Sequence, residues 1–321
     1  NVNAGTGTAA ASFGGSGNYG ASSDSTTFTI DPAATTTTVT CAAGPFTYTG
    51  AAIEPCTGSV TGPGGLNQVL TVVYANNIDA GTASADAGYA GGTNYQASSD
   101  SATFPIGKAT PVLAVTNSPV TFDGTQHAAT VGAGSVGGTI SDVRYDGSTT
   151  APIDAAAYAV TADFTPDDTA NYNLVNDGSA GSFVIQKAAT NTTVTCGAGS
   201  FVYTGSAYEP CTAVATGPAG LNQAVAVVYS DNTNAGTATA SASYAGAANY
   251  LPSSGASTFP INKANPTLAV TNSPATYDGT AKAAAVNGSV AGTVSNIQYD
   301  GSPIEPTNAG SYAINADFVP D

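Results

Sequence analysis

Short runs of Thr, Val, Tyr and Ala alternate with clusters of Gly, Pro, Asn and Asp along the whole chain. Examples are TTTTVTC, QVLTVVY and TASADAGYA, in which apolar and polar positions partly alternate. Such runs are typical of β-strands bounded by turns. No window keeps the i, i+3, i+4, i+7 apolar spacing of an amphipathic helix, so the pattern predicts an all-β chain.

The pattern repeats along the chain. The segment from Val39 to Thr57 returns 155 residues later, from Val194 to Thr212. After one deletion, the YDG that begins at Tyr145 returns at Tyr299. Each period holds two kinds of module, one with cysteines and one without. Because both kinds place an early aromatic, a central Tyr, a late Asn-Tyr and a final Phe in the same order, we interpret them as diverged copies of one fold.

The repeat divides the chain into five segments. Residues 1–32 match the second half of a cysteine-bearing module, and residues 33–108 form a complete one. Residues 109–187 form a complete cysteine-free module, and residues 188–263 form another cysteine-bearing module. Residues 264–321 are the first part of a second cysteine-free module, which is therefore truncated.

Each complete module offers six or seven strands in roughly 77 residues. Strands of that spacing predict a small β-sandwich of immunoglobulin-like kind, and the chain is then a tandem array of such modules. Aromatic-Asp-Gly sequences, which begin at Phe122, Tyr145, Tyr277 and Tyr299, favour tight hairpins because Gly tolerates positive φ.

Four cysteines occur in two pairs, Cys41 with Cys56 and Cys196 with Cys211. The intervening segment, FTYTG in the first pair, is predicted as a hairpin that brings the two cysteines onto neighbouring strands. A disulfide across such a loop contributes about 3 kcal/mol in the chain-entropy model. The alternative of a metal site is disfavoured because no C-x-x-C spacing occurs. Paired cysteines indicate an oxidising, extracellular compartment.

Composition narrows the function further. Only 8% of residues are charged, and 21 acids against 5 bases give a net charge of −16. A chain with so few basic residues is not expected to bind nucleic acid or an anionic membrane surface. No apolar run approaches the roughly 20 residues that span a bilayer, so we expect no membrane insertion in this segment.

The sequence offers little that resembles a catalytic or cofactor site. The chain has one histidine, His127, and the sister module has Lys282 at or beside its position, so a nucleophilic triad is not expected. We expect no enzyme activity, cofactor or metal. Glu54 and Glu209 are interpreted as solvated residues at strand edges. A calcium site is one hypothesis, with oxygen ligands from Asp163, Asp167 and Asp168 and, in the sister module, Asp317 and Asp321. Intramolecular isopeptide bonds of the module-end lysines Lys108, Lys187 and Lys263 are another. Both hypotheses are disfavoured.

The phrases GLNQ, VVY, NAGT and YAGxxNY resemble the bacterial immunoglobulin-like repeats of large secreted surface proteins. The cysteine-free modules, with YDG, NAGSY and ADF, are similar to MBG domains. The resemblance covers essentially the whole chain. It implies stalks and spacers of adhesins and fibre-forming surface proteins. Some domains of this kind are assigned a β-grasp fold, which is the alternative fold here and requires a helix.

The functional prediction is therefore a structural repeat segment of an extracellular bacterial surface fibre or adhesin stalk, forming a semi-rigid, protease-resistant rod. The junctions IGKATP, IQKAAT and INKANP contain no flexible spacer, which favours limited hinge motion. Its expected partners are neighbouring repeats or copies of the same protein. The alternative is an array of adhesive modules that bind carbohydrate or protein, with surface glycans or host and neighbouring cells as partners.

Overall fold

The computed structural model describes residues 2–321, and their regular structure is almost entirely β-strand. The helical segments among these residues are two three-residue 3₁₀ turns, Pro63–Gly65 and Pro218–Gly220. Within the described range, no helix is long and apolar enough to cross a bilayer. The prediction of tandem all-β modules is confirmed, and the helix that a β-grasp requires is not observed in residues 2–321. The chain forms two compact units, of which the first ends at Lys187 and the second is Ala188–Asp321.

The first strands form an antiparallel hairpin, β1 (Gly5–Phe13) with β2 (Ser22–Ile30). Residues 33–108 then fold as seven strands: β3 (Thr36–Cys41), β4 (Phe46–Thr47), β5 (Cys56–Gly62), β6 (Leu66–Leu70), β7 (Val73–Ala75), β8 (Gly81–Tyr89) and β9 (Ser98–Gly107). One sheet has the order β3-β5-β6, and the other has the order β4-β9-β8-β7. The hairpin β8–β9 repeats the pairing of β1–β2: Gly5 pairs with Ile30, and Gly81 pairs with Ile106.

Side chains of alternate residues fill the space between these two sheets, as the two-residue period of a strand requires. On β8, the inward positions are Ala83, Ala85 and Ala87, all buried. On β9, Phe104 and Ile106 point into the same interior and are each 3% exposed. The interior of this module is therefore built largely of small side chains around one buried phenylalanine.

The predicted hairpin at FTYTG is wrong. The Phe46–Thr47 strand β4 lies in the opposite sheet from the cysteines, where it pairs in parallel with β9. The ring of Phe46 packs edge-on against Phe104, with 5.6 Å between the ring centroids. Burial of the aromatic ring across the sandwich thus takes precedence over a local turn, in which the ring would be exposed to solvent.

Residues 109–187 contain six strands: β10 (Ala114–Val115), β11 (Val120–Thr121), β12 (Val131–Gly132), β13 (Gly138–Tyr145), β14 (Ala157–Pro166) and β15 (Val175–Gln186). A two-stranded sheet, β10-β12, faces a four-stranded sheet of order β11-β15-β14-β13. The interior contains Phe122, Phe164 and Phe183, none more than 6% exposed, together with Val160 and Ile185. This module therefore buries three phenylalanines where the preceding one buries Phe104.

The second unit repeats both folds. Its cysteine-bearing module has β16 (Asn191–Cys196), β17 (Phe201–Val202), β18 (Cys211–Gly217), β19 (Leu221–Val225), β20 (Val227–Ser230), β21 (Gly236–Tyr244) and β22 (Ser253–Asn262), in the sheet orders β16-β18-β19 and β17-β22-β21-β20. The strands that follow are β23 (Leu268–Val270), β24 (Val286–Gly288), β25 (Gly292–Tyr299) and β26 (Ile314–Pro320). They pair as β23-β24 and β25-β26, which are the equivalents of β10-β12 and β13-β14.

The aromatic-Asp-Gly sequences divide into two groups. After Tyr145, the central residues Asp146 and the next glycine have φ of 48° and 87°, as in a type I′ turn. The turn after Tyr299 has the same conformation. After Phe122 and Tyr277, in contrast, the aspartate side chain accepts a hydrogen bond from the backbone N–H two residues on, at 2.8 and 3.0 Å. The prediction of a tight hairpin turn is therefore confirmed at mid-module, after Tyr145 and Tyr299. It is wrong early in the module, after Phe122 and Tyr277.

Candidate functional site: the module junction

Each complete module begins with an alanine that is held by the module's own backbone. The N–H of Ala109 donates to the carbonyl of Asn171 at 2.9 Å, and the carbonyl of Ala109 accepts from the N–H of Asn173 at 2.8 Å. Ala33 and Ala188 are paired in the same way within their own modules. This alanine directly follows the last residue of the preceding segment. No unpaired spacer therefore lies between that segment and the module that begins at Ala33 or Ala109.

The side chain of Asn171 reaches across the junction to the module that precedes it. Its Oδ1 accepts a hydrogen bond from the N–H of Ala80 at 2.7 Å, and its Nδ2 donates to Oδ1 of Asp79 at 3.1 Å. Asn171 is only 7% exposed. A carboxamide suits this position because it supplies an acceptor and a donor in one plane. We call this pair of hydrogen bonds the asparagine clasp.

The same clasp occurs at the preceding junction. Asn94 accepts from the N–H of Ala4 at 2.7 Å and donates to Oδ1 of Asn3 at 3.0 Å. The turn that Asn94 contacts is the equivalent of the one that Asn171 contacts, because Asn3 and Ala4 precede Asp79 and Ala80 by the same 76 residues that separate strand β1 from strand β8. Two successive junctions of residues 2–187 are thus closed by the same side chain acting on the same turn.

Charged side chains support the clasp at Asn171. Asp168 accepts hydrogen bonds from Nδ2 of Asn171 at 2.9 Å and from the backbone N–H groups of Ala170 and Asn171. The side-chain hydrogen bond from Asn171, followed by these backbone bonds and the charge of Lys108, lowers the pKa of Asp168 against the opposing effect of desolvation. The ammonium group of Lys108 donates to the carbonyl of Thr169 at 2.6 Å. The lysine of the isopeptide hypothesis therefore holds the turn that carries Asp168 and Asn171.

An aromatic pair lies beside these hydrogen bonds. The rings of Tyr48 and Tyr172, from successive modules, pack edge to face with their centroids 5.3 Å apart. Desolvation of the phenol, followed by Tyr172, Asp168 and Asp79, raises the pKa of Tyr48. The junction at Ala109 thus combines polar contacts with apolar contact, which restricts rotation about the linker more than either contact alone.

Within each cysteine-bearing module, the cysteines form a disulfide between paired strands. Cys41 bonds to Cys56, and Cys196 bonds to Cys211, in each case directly opposite in the register of the sheet. The hydroxyl of Tyr74 accepts from the N–H of Cys56 at 2.8 Å and donates to its carbonyl at 2.9 Å. The central tyrosine of the module therefore fixes the end of strand β5.

The acids of the calcium hypothesis do not lie together. Asp168 belongs to the clasp, and the backbone N–H of Asp167 pairs with the carbonyl of Gly137. Asp163 instead lies near Asp142 and Asp177, and carboxylate oxygens of these three residues are within 4.8 Å of one another. The group of acids that the fold assembles is therefore not the one that the spacing along the chain indicates.

The guanidinium of Arg144 balances part of this acidic charge. Its Nε donates to a carboxylate oxygen of Asp142 at 2.9 Å and lies 3.9 Å from Asp177. Hydrogen bonding to Asp142, followed by its charge and that of Asp177, raises the pKa of Arg144. In the sister module, Asn296 and Gln298 stand where Asp142 and Arg144 do. The acid and the base of this ion pair at the β-bulge are thus both replaced by neutral side chains in the sister module, as expected if they act as a pair.

The single histidine also contacts an aspartate side chain, and the sister module reproduces this contact with a lysine. Nε2 of His127 lies 3.0 Å from Oδ1 of Asp123, and the ammonium of Lys282 contacts Asp278 at the equivalent place. Hydrogen bonds from the side chain and the backbone of Thr125, followed by the proximity of His127, lower the pKa of Asp123 against the opposing effect of desolvation. Since a lysine takes the same position in the sister module, the contact with the aspartate does not depend on an imidazole.

The remaining candidate side chains are on the surface of the modules. Glu54 and Glu209 are exposed, as the sequence predicts. Lys187 and Lys263 are also exposed. The late Asn-Tyr recurs at residues 18–19, 94–95, 171–172 and 249–250, but the sequence alone indicates no role for the asparagine. Its recurrence in modules with different cores was the signal that could have found the clasp.

The fold and the junction define an array of small β-sandwich modules with directly bonded neighbours in residues 2–187. Comparison with protein families assigns part of this array: the MBG domain model matches residues 113–189 and 266–319. These two segments are MBG-type repeats, as the YDG and NAGSY sequences predict. The matches cover less than half of the chain and leave out the cysteine-bearing modules. Comparison with curated proteins gave no match, and neither did comparison with solved structures.

Proposed function

We propose that this chain is a structural segment of an extracellular bacterial surface fibre or adhesin stalk, whose repeats are held in a fixed relation to their neighbours. The observation that carries the proposal is the asparagine clasp at Asn94 and Asn171. A flexible tether between independent binding domains would not need a buried side chain that hydrogen-bonds one module to the next.

The clasp limits motion because of where its two ends are attached. The backbone of Asn171 is bonded to the linker residue Ala109, and its side chain is bonded to the turn at Asp79 and Ala80. A rotation about the linker therefore breaks at least one of these hydrogen bonds in a site largely closed to water. Each such loss costs about 1 kcal/mol or more.

The extracellular location is supported by three features. MBG-type repeats occur in residues 113–189 and 266–319. The two disulfides suit an oxidising compartment. The chain also carries only five Lys and Arg residues, which leaves trypsin-like proteases few cleavage sites. We propose that this last trait contributes to durability outside the cell.

The proposed role includes no catalysis. The residues with the chemistry of a general base, His127 and its partner Asp123, are hydrogen-bonded to each other, and Asp123 also accepts hydrogen bonds from Thr125 in the same turn. The equivalent contact in the sister module uses Lys282 and Asp278. Repeated modules that exchange histidine for lysine favour a structural role for this position.

The test is the distribution of distances between residues 33–108 and 109–187. Spin labels attached through non-cysteine chemistry at the exposed strand positions Val69 and Thr139 avoid the disulfides. Pulsed dipolar spectroscopy on the full chain is expected to give a narrow distribution, and Asn171→Ala is expected to broaden it.

The matched control is Asn117→Ala. Asn117 makes the same kind of two-way bond, to Ala128 and Thr130, but within one module. Its removal is expected to leave the distribution narrow. A broad distribution for the unchanged chain would contradict the stalk proposal. Saturable binding of the full chain on a glycan array would support the adhesive alternative instead.

A further inference from the structure

In every complete module, one early strand lies beside the last strand and runs in the same direction. β4 pairs in parallel with β9, β11 with β15, and β17 with β22. The hydrogen bonds of a parallel pair are evenly spaced along the strands. When the start of one strand and the end of the other are pulled apart, the strands slide along each other and these bonds resist together. Such a pair is therefore the place at which a module resists tension between its ends.

In the cysteine-bearing modules, the disulfide lies on the path of such tension. Tension that enters at Ala33 passes along β3 to Cys41, and the covalent bond to Cys56 carries it directly into β5. Residues 42–55, which include β4, lie between the two cysteines and are outside this path. The second cysteine-bearing module has the same arrangement. The pair of β4 with β9 therefore bears no load while the disulfide is intact.

A tyrosine anchors the point at which tension enters β5. The hydroxyl of Tyr74, on β7, accepts from the N–H of Cys56 at 2.8 Å and donates to its carbonyl at 2.9 Å. Tyr229 makes the same two bonds to Cys211. β7 belongs to the sheet that contains β9, the strand by which the chain leaves the module. Load that reaches Cys56 is thus passed through Tyr74 to the opposite sheet.

Residues 109–187 contain no cysteine, so tension follows the chain from the first residue to β11. The N–H of Phe122 donates to the carbonyl of Gln186 at 2.9 Å. The hydroxyl oxygen of Ser118 accepts from the N–H of Val184 at 2.9 Å. The segment around β11 is therefore attached to β15 on both sides of the paired residues, and tension loads this pair directly.

We propose that the disulfide and Tyr74 together form a load-bearing route that carries tension around β4, so that the two kinds of module yield to force differently. In a cysteine-bearing module, the loop between cysteines 15 residues apart stays closed, and the chain released on unfolding is shorter by about 50 Å. The MBG-type module bears tension through β11 and β15 and releases its whole length. This inference rests on the order of the strands and on these bonds, and it goes beyond the proposed stalk function without depending on it.

The test is force spectroscopy on the full chain with two matched pairs of attachment sites. Handles attached through non-cysteine chemistry at the exposed residues Asp31 and Val112 load the first cysteine-bearing module. Handles at the exposed residues Gly107 and Ala189 load the MBG-type module that follows it. The two spans contain nearly the same number of residues. We expect the contour length released by the first span to be shorter by about 50 Å. Equal lengths would overturn the proposal, and this comparison needs no variant to fold.

Removal of the disulfide tests the same route from the other side. Cys41→Ser together with Cys56→Ser is expected to lengthen the step of the first span by about 50 Å. The step of the second span is expected to stay the same. An unchanged step of the first span would show that the disulfide does not carry the load.

Tyr74→Phe separates load-bearing from simple stabilisation. At constant force, we expect the first span to unfold about tenfold faster while the disulfide is intact, because two hydrogen bonds on the route are lost. Without the disulfide, tension enters through β4, and the same change is expected to accelerate unfolding less than about twofold. Equal acceleration in both backgrounds, or no acceleration in the disulfide-bonded chain, would exclude Tyr74 from the route.

The matched control is Tyr145→Phe on the second span. It removes the hydroxyl that accepts from the N–H of Ala129 at 2.7 Å, at a place that is not on the path through β11 and β15. We expect unfolding at constant force to change less than about twofold. A change as large as that of Tyr74→Phe would assign both effects to general destabilisation and contradict the route.

Discussion

The complete modules of residues 33–108 and 109–187 are stabilised in different ways. The first has three buried alanines on β8, one buried phenylalanine, and the disulfide between Cys41 and Cys56. The second has no cysteine and buries Phe122, Phe164 and Phe183. A related plan of strands is thus stabilised by a covalent bond in one case and by a larger interior in the other.

The buried phenylalanines and the disulfide differ in whether they act on the folded or on the unfolded state. A buried phenylalanine stabilises the folded module by removing a large apolar surface from water. A disulfide acts mainly on the unfolded chain, whose conformational freedom it reduces. The comparison therefore makes separate predictions for the two modules, and hydrogen exchange followed by mass spectrometry can measure each module in the same chain.

The largest effect is expected from Phe183→Ala, at a side chain with 0% exposure. Loss of the ring leaves a cavity beside Tyr145, and we expect residues 109–187 to lose about 3 to 5 kcal/mol. Hydrogen-exchange protection should fall throughout these residues. The control is Val112→Ala, at a residue that is 80% exposed. An equal loss of protection in residues 33–108 would contradict independent stabilisation of the two modules.

Removal of one disulfide is expected to have a slightly smaller effect. The paired changes Cys41→Ser and Cys56→Ser release a loop of 15 residues, and residues 33–108 should lose about 3 kcal/mol. Urea denaturation with exchange readout measures this loss. The sister module provides an internal control, because its Cys196–Cys211 bond is intact. Unchanged stability of residues 33–108 would show that packing alone stabilises this module.

The central tyrosines test the comparison at the level of single hydrogen bonds. Tyr74→Phe removes two bonds to Cys56, and we expect a loss of about 1 to 2 kcal/mol in residues 33–108. Tyr145→Phe removes the single bond from Ala129, and we expect about 1 kcal/mol in residues 109–187. Both losses are measurable by denaturation with exchange readout. The reverse order would contradict the idea that Tyr74 reinforces the cysteine-bearing strand.

The smallest effect concerns pH at the junction of Ala109. The pKa of Asp168 is lowered in the folded protein below the ordinary value of 3.8, chiefly by the hydrogen bond from Asn171. The contribution of this carboxylate is therefore fully present above pH 3.8 and is lost as the pH falls through the lower, folded pKa. The label distances across this junction should broaden only in that acidic range.

The preceding junction offers the contrast. Gly91 stands there at the place of Asp168, three residues before the clasp asparagine. Label distances between the hairpin β1–β2 and residues 33–108 should then lack this transition. Asp168→Asn should remove it at the second junction. A transition of equal size in that variant would assign the effect to other acids.

Much of the fold was predictable from the sequence because it depends on short-range patterns. The strands follow from the alternation of Thr, Val and Ala with turn residues, and the repeat at 155 residues places the same strands in the second unit. The mid-module turn after Tyr145 follows from the preference of Asp-Gly for positive φ. These features need no knowledge of distant residues.

Other features depend on groups that are remote in the sequence. The strand at Phe46–Thr47 pairs away from its neighbours in sequence, in the sheet opposite the cysteines, because the Phe46 ring packs against Phe104 there. The acids near Asp163 come together only when β13 and β14 pair through a bulge. No local pattern of residues carries either piece of information.

The junction combines both kinds of information. The sequence contains the late Asn-Tyr of each complete module and the short linkers, and these already indicate an ordered array. The partner of Asn171 is the backbone of Ala80, 91 residues away, and the amide is buried only when successive modules meet. A hydrogen bond between residues so far apart depends on the folded positions of both modules, so its existence could be learned only from the three-dimensional structure.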